Sequence, residues 1–251
     1  MSIKVIFHKD FYRAYTSDPA AETGRMEAIV AAIQSRADFI NAEPATLDQL
    51  RAAHSIDHIE SVKIERVYDI AALAAGGAIQ AARIGLTEPA FALIRPPGHH
   101  ASHSSCWGFC YFNNMSVALM ALKNEGLIST AFVLDFDLHF GDGNANILGH
   151  EPWVEILNPA ARTRDGYIKE IEERLRGLKV DMIGISAGFD HHEEDWGGLL
   201  KTQDYKTMGR MVRDAALACS GGCFAILEGG YNHNVLGKNV LALLRGLEPG
   251  L

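Results

Sequence analysis

One pattern constrains this chain more than any other. Four short apolar runs each break abruptly into Gly or Pro together with ionisable side chains. Residues 91–94 (FALI) run into Arg95-Pro-Pro-Gly-His-His100. Residues 131–134 (AFVL) run into Asp135-Phe-Asp-Leu-His139-Phe-Gly-Asp142. Residues 182–186 (MIGIS) run into Ala187-Gly-Phe-Asp190, and residues 224–227 (FAIL) into Glu228-Gly-Gly-Tyr231. Runs that are apolar at every position suit strands buried on both faces, the situation inside a parallel sheet. The intervening stretches 71–84, 114–123, 166–175, 205–219 and 235–247 carry Ala, Leu and Ile at helical spacing. Strands alternating with helices predict βα units. The expected architecture is therefore one α/β domain over residues 1–251, with a central, mostly parallel sheet and helices on both faces. Residues 1–10 are expected to supply its first strand and residues 20–39 an early helix. Further strands are expected at 90–94, 130–138, 181–186 and 223–227.

Composition narrows the function. The chain has 251 residues, 23 Lys+Arg against 31 Asp+Glu, and a formal charge of −8. An acidic surface argues against a nucleic-acid partner, which would require a basic face. No apolar run approaches the roughly 20 residues that span a bilayer, and the N-terminus lacks the apolar core of a secretory signal. The four cysteines, at 106, 110, 219 and 223, are too few for a disulfide framework in a chain of this length. They are expected to be reduced, in a cytoplasmic protein.

In open parallel sheets ligands bind beyond the carboxyl ends of the strands, so four such ends can deliver chemistry to one cleft. If the 130–138 strand continues, Asp135, Asp137 and His139 share one face, because strand side chains alternate. Two carboxylates held close together in a partly buried site raise each other's pKa unless a cation offsets the charge. A hydrogen-bonded polar cluster is the plainer alternative. With Asp190 from the next strand end, Asp137 and His139 form an O/N/O triad with an open position. That is the catalytic rather than the structural arrangement for Zn2+. Its two oxygen ligands also suit Fe2+ or Mn2+. His99 and His100, on a turn beside Gly98, are candidate proton-transfer groups because the unperturbed imidazole titrates near pH ~6.5. Such histidines need carboxylates on their far nitrogens, and Asp135 and Asp142 are available. Tyr231 offers a hydroxyl to a developing oxyanion. His54 and His58 are expected to be surface or locally hydrogen-bonded residues.

Five segments together, RPPGHHA (95–101), GFCYFNN (108–114), DFDLHFGDG (135–143), SAGFD (186–190) and LEGGY (227–231), resemble the motifs of the histone deacetylase family, in their order and approximate spacing. The match is closest in character to its class II-like and bacterial or archaeal branch, which includes acetylpolyamine amidohydrolases. The resemblance implies the arginase–deacetylase fold and a zinc-dependent amidohydrolase that removes acetyl or a short acyl group from an amine such as acetyl-lysine or an acetylpolyamine. It places Asp137, His139 and Asp190 as metal ligands. His100 with Asp142 corresponds to the general base and acid, His99 with Asp135 to the second histidine, and Tyr231 to the carbonyl-polarising residue. Gly108, Phe109 and Gly229 fall at substrate-binding positions, with Phe109 as one wall of the acyl-lysine tunnel. The 135–139 segment also resembles a structural K+ or Na+ site of the family.

The sequence departs from that pattern in places. A long Gly-rich segment usual between the third and fourth motifs is replaced by the short stretch 158–166, which predicts a shallower, more open site with no assigned second wall. Phe140 replaces a frequent second His. After Asp190 the chain reads His191-His-Glu-Glu-Asp195-Trp196, placing His191 and His192 near the rim or behind the ligands, Glu193 and Glu194 on an acidic loop, and Trp196 at the rim. Two other functions fit parts of the pattern. One is a binuclear, arginase-like hydrolase, which requires more ligands than these three. The other is a non-catalytic protein that binds acylated amines through a retained zinc site.

Overall fold

The computed structural model describes residues 2–248. In chain order the described residues form β1 (Ile3–Phe7), α1 (Arg25–Ile33), β2 (Ala37–Asn41), α2 (Leu47–Arg51), α3 (Ile56–Ile64), α4 (Tyr68–Gly85), β3 (Ala90–Ala92), α5 (Asn114–Asn124), β4 (Ala131–Asp135), α6 (Asp142–Leu148), β5 (Val154–Leu157), α7 (Arg164–Leu175), β6 (Met182–Ala187), α8 (Thr202–Cys219), β7 (Gly222–Leu227) and α9 (His233–Leu247), with short 3-10 turns at Lys9–Tyr12 and Pro19–Ala21. The strands make one seven-stranded sheet in the order β2-β1-β3-β7-β6-β4-β5, and every pairing is parallel. Helices α1, α8 and α9 pack together, and α4 packs on α5, giving the α/β single domain expected from the alternation of elements.

Burial explains the strand sequences. Every residue of β3, β4, β6 and β7 is buried, so each carries an uninterrupted apolar run that helices can cover on both faces. Each fully buried Phe, Leu or Ile there contributes about 1.5–3 kcal/mol relative to exposure. These four strands are also consecutive in the sheet, β3-β7-β6-β4. The four polar loops that follow them therefore adjoin at one end of the molecule.

The expected helix over residues 20–39 is corrected. It ends at Ile33, and Ala37–Asn41 leaves it as the edge strand β2, pairing with β1 from Ile3↔Ala37 to Phe7↔Asn41. The other edge strand, β5, has no counterpart in the sequence expectations. No helix among the described residues is long and apolar enough to cross a membrane. All four cysteines are free.

Candidate active site

The loop after β4 begins the site. Strand β4 ends at Asp135, so Asp137 and His139 do not share a strand face as alternation implied. Turn chemistry places them instead. Asp135 Oδ1 accepts the Asp137 amide at 3.3 Å, and Asp137 Oδ1 accepts the His139 amide at 2.9 Å. Each carboxylate thus folds back on the amide two residues later, the local bond that draws Asp into turns. The loop after β6 is stitched to this one, because Asp190 Oδ1 accepts the Leu138 amide at 3.0 Å. The result brings ligand atoms of Asp137, His139 and Asp190 within 4.8 Å of one another.

This trio suits a divalent cation. Asp137 and Asp190 are buried. Asp190 Oδ2 is sealed from solvent without a properly oriented hydrogen-bond partner, although His139 Nδ1 lies 3.2 Å away. The same nitrogen is 3.2 Å from Asp137 Oδ1. Burial and the neighbouring Asp137 charge push the Asp190 carboxyl up. Against the same burial, the His99 charge and hydrogen bonds from His139 and Gly229 hold Asp137 low. The hydrogen bond to Asp137 and the close Asp190 carboxylate draw His139 up to about 10. Two buried carboxylates and an orphaned oxygen around one imidazole concentrate negative charge that a hard or borderline dication balances.

Both predicted histidine–carboxylate pairs form above the trio. His99 Nδ1 lies 3.1 Å from Asp135 Oδ2, and His100 Nδ1 lies 2.6 Å from Asp142 Oδ1; the two rings are 4.0 Å apart. Burial would lower His99, but the charges of Asp137 and Asp135 hold it well above its ordinary value. Burial and the adjacent His99 charge lower His100 to about 4. The pair is therefore tuned in opposite directions, His99 upward and His100 downward, which leaves the His100 Nε2 lone pair available.

Several residues that hold this geometry were not singled out from the sequence. Asn144 Nδ2 donates to Asp135 Oδ2 at 3.0 Å and to Ser186 Oγ at 3.1 Å. Glu228, wholly buried, accepts the amides of Gly98 at 2.7 Å and His99 at 3.3 Å, while Ser186 donates to its other oxygen. Burial pushes its carboxyl up to about 7. Its place at a strand end was the available signal, and Ser186 opens the SAGFD motif, whereas Asn144 gave none. His54 and His58 are neither at the surface nor locally bonded, a correction to the expectation: both are buried and their rings hold a segment distant in sequence, His54 through Ser102 and Asn113 and His58 through the Tyr111 carbonyl at 2.7 Å.

A cavity of about 110 Å³ opens at His139 of the trio, lined by Pro97, His99, His100, Trp107, Gly108, Phe109, His139, Trp196, Gly229 and Tyr231. Gly108 and Phe109 take φ of 59° and 67°, left-handed conformations that are uncommon for a bulky residue and that turn the Phe109 ring into the cavity wall. The Tyr231 ring stands edge-on to Phe109 at 6.0 Å and stacks on Trp196 at 4.1 Å. Trp196 thus supplies an aromatic surface that the sequence left unassigned. The cavity is open: Trp107 and Trp196 are 56% and 54% exposed, and the His139 side chain is 40% exposed. Burial and the Asp137 charge raise the Tyr231 phenol, which stays a hydrogen-bond donor. Behind it the buried Arg25 guanidinium donates to the carbonyls of Gly230 at 2.8 Å and Glu228 at 2.6 Å. Gly229 faces the cavity, but its amide is committed to Asp137 Oδ2 at 2.9 Å.

A parallel sheet whose adjoining strand ends carry an Asp/His/Asp trio under two carboxylate-paired histidines defines an arginase–deacetylase type of α/β domain. A family model for the histone deacetylase domain matches residues 64–167 and 159–247, and the chain belongs to the histone deacetylase family. A probable deacetylase of Methanothermobacter thermautotrophicus is 28% identical over 303 residues, covering 97% of this chain and 90% of the relative. A probable deacetylase of Archaeoglobus fulgidus is 30% identical, covering 91% of this chain and 81% of its own length. The crystal structure of the HDA15 HD domain superposes with a TM-score of 0.83 at 24% identity, over 100% of this chain and 92% of that one. That likeness establishes the fold.

Proposed function

We propose that this deacetylase-family hydrolase cleaves the amide of an acylated amine with a single divalent metal, zinc in the first place, held by Asp137, His139 and Asp190. The observation that carries the proposal is the convergence of those three ligands, two oppositely tuned histidines and a protonated phenol on one cavity. When bound, the ion supplies Lewis-acid polarisation and a water of lowered pKa. His100, neutral and fixed through Nδ1 by Asp142, takes the water's proton at Nε2 as oxygen attacks the acyl carbon. Tyr231 donates its hydroxyl hydrogen bond to the carbonyl oxygen as charge grows there. The C–N bond then breaks, and a histidine of the pair returns a proton to the leaving amine. Phe109 and Trp196 offer aromatic faces to the alkyl chain.

Among the described residues this trio is the only cluster with metal-ligand spacing, which favours a mononuclear site over an arginase-like pair. The direct test compares kinetics on an acetyl-lysine peptide and an acetylpolyamine, with chelator and after reloading with Zn2+, Fe2+ or Mn2+. Turnover that chelation abolishes and one ion per chain restores is the expected result. Metal-loaded protein that turns over neither substrate nor a wider acylated panel would point to the binding protein. Two ions per chain would point to the binuclear enzyme.

A further inference from the structure

Trp107 is the one exposed aromatic residue of the cavity whose polar atom is already engaged. Its indole Nε1 donates to Asp142 Oδ2 at 2.8 Å, while the other oxygen of that carboxylate binds His100 Nδ1 at 2.6 Å. The indole plane also lies over the His100 ring, with centroids 3.9 Å apart and planes tilted by 33°. Trp107 therefore touches both members of the His100–Asp142 pair, though 35 residues separate it from Asp142 in the chain.

From this geometry we infer that Trp107 is a positioning residue for His100, its indole N–H fixing the Asp142 carboxylate and moderating how strongly that carboxylate holds the imidazole proton. The inference rests on the reading of His100 as the proton acceptor. Asp142 is partly exposed, with a side-chain accessibility of 36%, so water competes with His100 and with the Gly143 amide for its oxygens. The indole N–H occupies one oxygen and leaves the other aimed at Nδ1. Burial raises the Asp142 carboxyl, but the hydrogen bonds from His100 and Trp107 more than offset it. A donor on the carboxylate stabilises its charge and so weakens its pull on the His100 proton. The other titratable groups facing His100 are His99 at 4.0 Å, His139 at 5.9 Å and the Asp137 carboxylate, which raises it. None of them is touched by a change at Trp107.

The test is Trp107→Phe, which keeps a stacking ring and removes the donor. With an acetyl-lysine peptide as probe, kcat is expected to fall about tenfold, a fraction of what a general base supplies, with KM within about twofold. The acid limb of the kcat/KM profile is expected to move up by roughly half a pH unit, the scale of one weakened charge-assisted hydrogen bond. The same upward shift should be seen without substrate, in the NMR titration of the His100 imidazole, assigned by its loss in His100→Gln. Trp107→Leu, which gives up the stack as well, has to shift the titration in the same direction. An unshifted His100 titration in both variants overturns the inference, even if turnover falls. Absence of turnover in the wild type together with a shifted titration would overturn the proposed reaction and leave the positioning role standing.

Discussion

His54 Nε2 accepts the backbone N–H of Asn113 at 2.8 Å, while its Nδ1 meets the Ser102 carbonyl at 2.9 Å. Those two bonds fix the neutral Nδ1–H tautomer and tie both ends of the loop that carries Trp107 and Phe109 to one buried ring. Protonation would set a second N–H against the Asn113 amide. Burial and the nearby His58 lower His54 to about 3, below the value of about 6.5 expected in the unfolded chain. The unfolded state therefore binds more protons, and the contribution of this neutral imidazole is fully present above pH ~6.5 and lost as pH falls toward about 3, with a slope of up to about 1.4 kcal/mol per pH unit. Urea unfolding between pH 7.5 and pH 5 should show wild-type stability declining more steeply than that of His54→Gln, which starts lower at pH 7.5. Parallel slopes would assign the acid sensitivity to other groups.

The orphaned Asp190 Oδ2 makes a prediction that does not depend on turnover. If Asp137 and Asp190 repel each other in the absence of a cation, chelation should lower Tm by about 5–10 °C, the effect of removing a ligand present at roughly 100 times its Kd from a domain of this size. Asp190→Asn removes one of the two charges, so its Tm should not respond to chelator and should exceed that of chelated wild type. Thermal melts with metal analysis decide the point. A wild type indifferent to chelator, with no bound metal, would show that the trio is a hydrogen-bonded cluster.

Tyr231→Phe separates binding from catalysis. The ring would keep its stack on Trp196 and its edge contact with Phe109, and the backbone amide would keep its 2.8 Å bond to Asp195. Only the donor is lost, so metal content and KM should change little while kcat falls on the order of 10²-fold, as on loss of one oxyanion donor. Steady-state kinetics on metal-quantified protein test this, and unchanged kcat would remove Tyr231 from the reaction.

The legibility of this fold followed burial. Strands β4, β6 and β7, with every residue buried, were evident as apolar runs. Edge strands β2 and β5 expose part of each face, and the start of β2 falls within the helix expected over 20–39 because Ala37 and Phe39 extend its apolar spacing. At the site, Asp137, His139, Asp190 and both histidine–carboxylate pairs were legible because each lies at a strand end or in a motif. Asp137 and His139 are aimed by turns rather than by the strand alternation that their spacing implies. Trp107 and Asn144 were not legible. Their roles depend on contacts between segments distant in sequence, and no local pattern marks an indole that will meet a particular carboxylate.

Adjacent glycines after β7 separate crowding from backbone strain. A Cβ at Gly229 would stand 2.6 Å from Asp137 Oδ2 and 2.7 Å from Asp190 Oδ2, the two carboxylates proposed to hold the ion. A Cβ at Gly230, whose φ is 113°, would instead press on Leu236 and Phe189 at 2.8 and 2.9 Å. Gly229→Ala should therefore weaken metal binding at least tenfold, because displaced ligands cannot recover the geometry, while overpacking costs about 1–3 kcal/mol of stability. Gly230→Ala should lose a similar or larger amount of stability, since its φ is one that residues with a Cβ rarely adopt, yet retain metal affinity in whatever fraction folds. Competition against a chromophoric chelator, paired with urea unfolding, measures both quantities. Equal metal affinities in the two variants would mean that Asp137 and Asp190 can shift together to make room, and that the trio is less rigid than its hydrogen bonds to Gly229, His139 and Leu138 indicate.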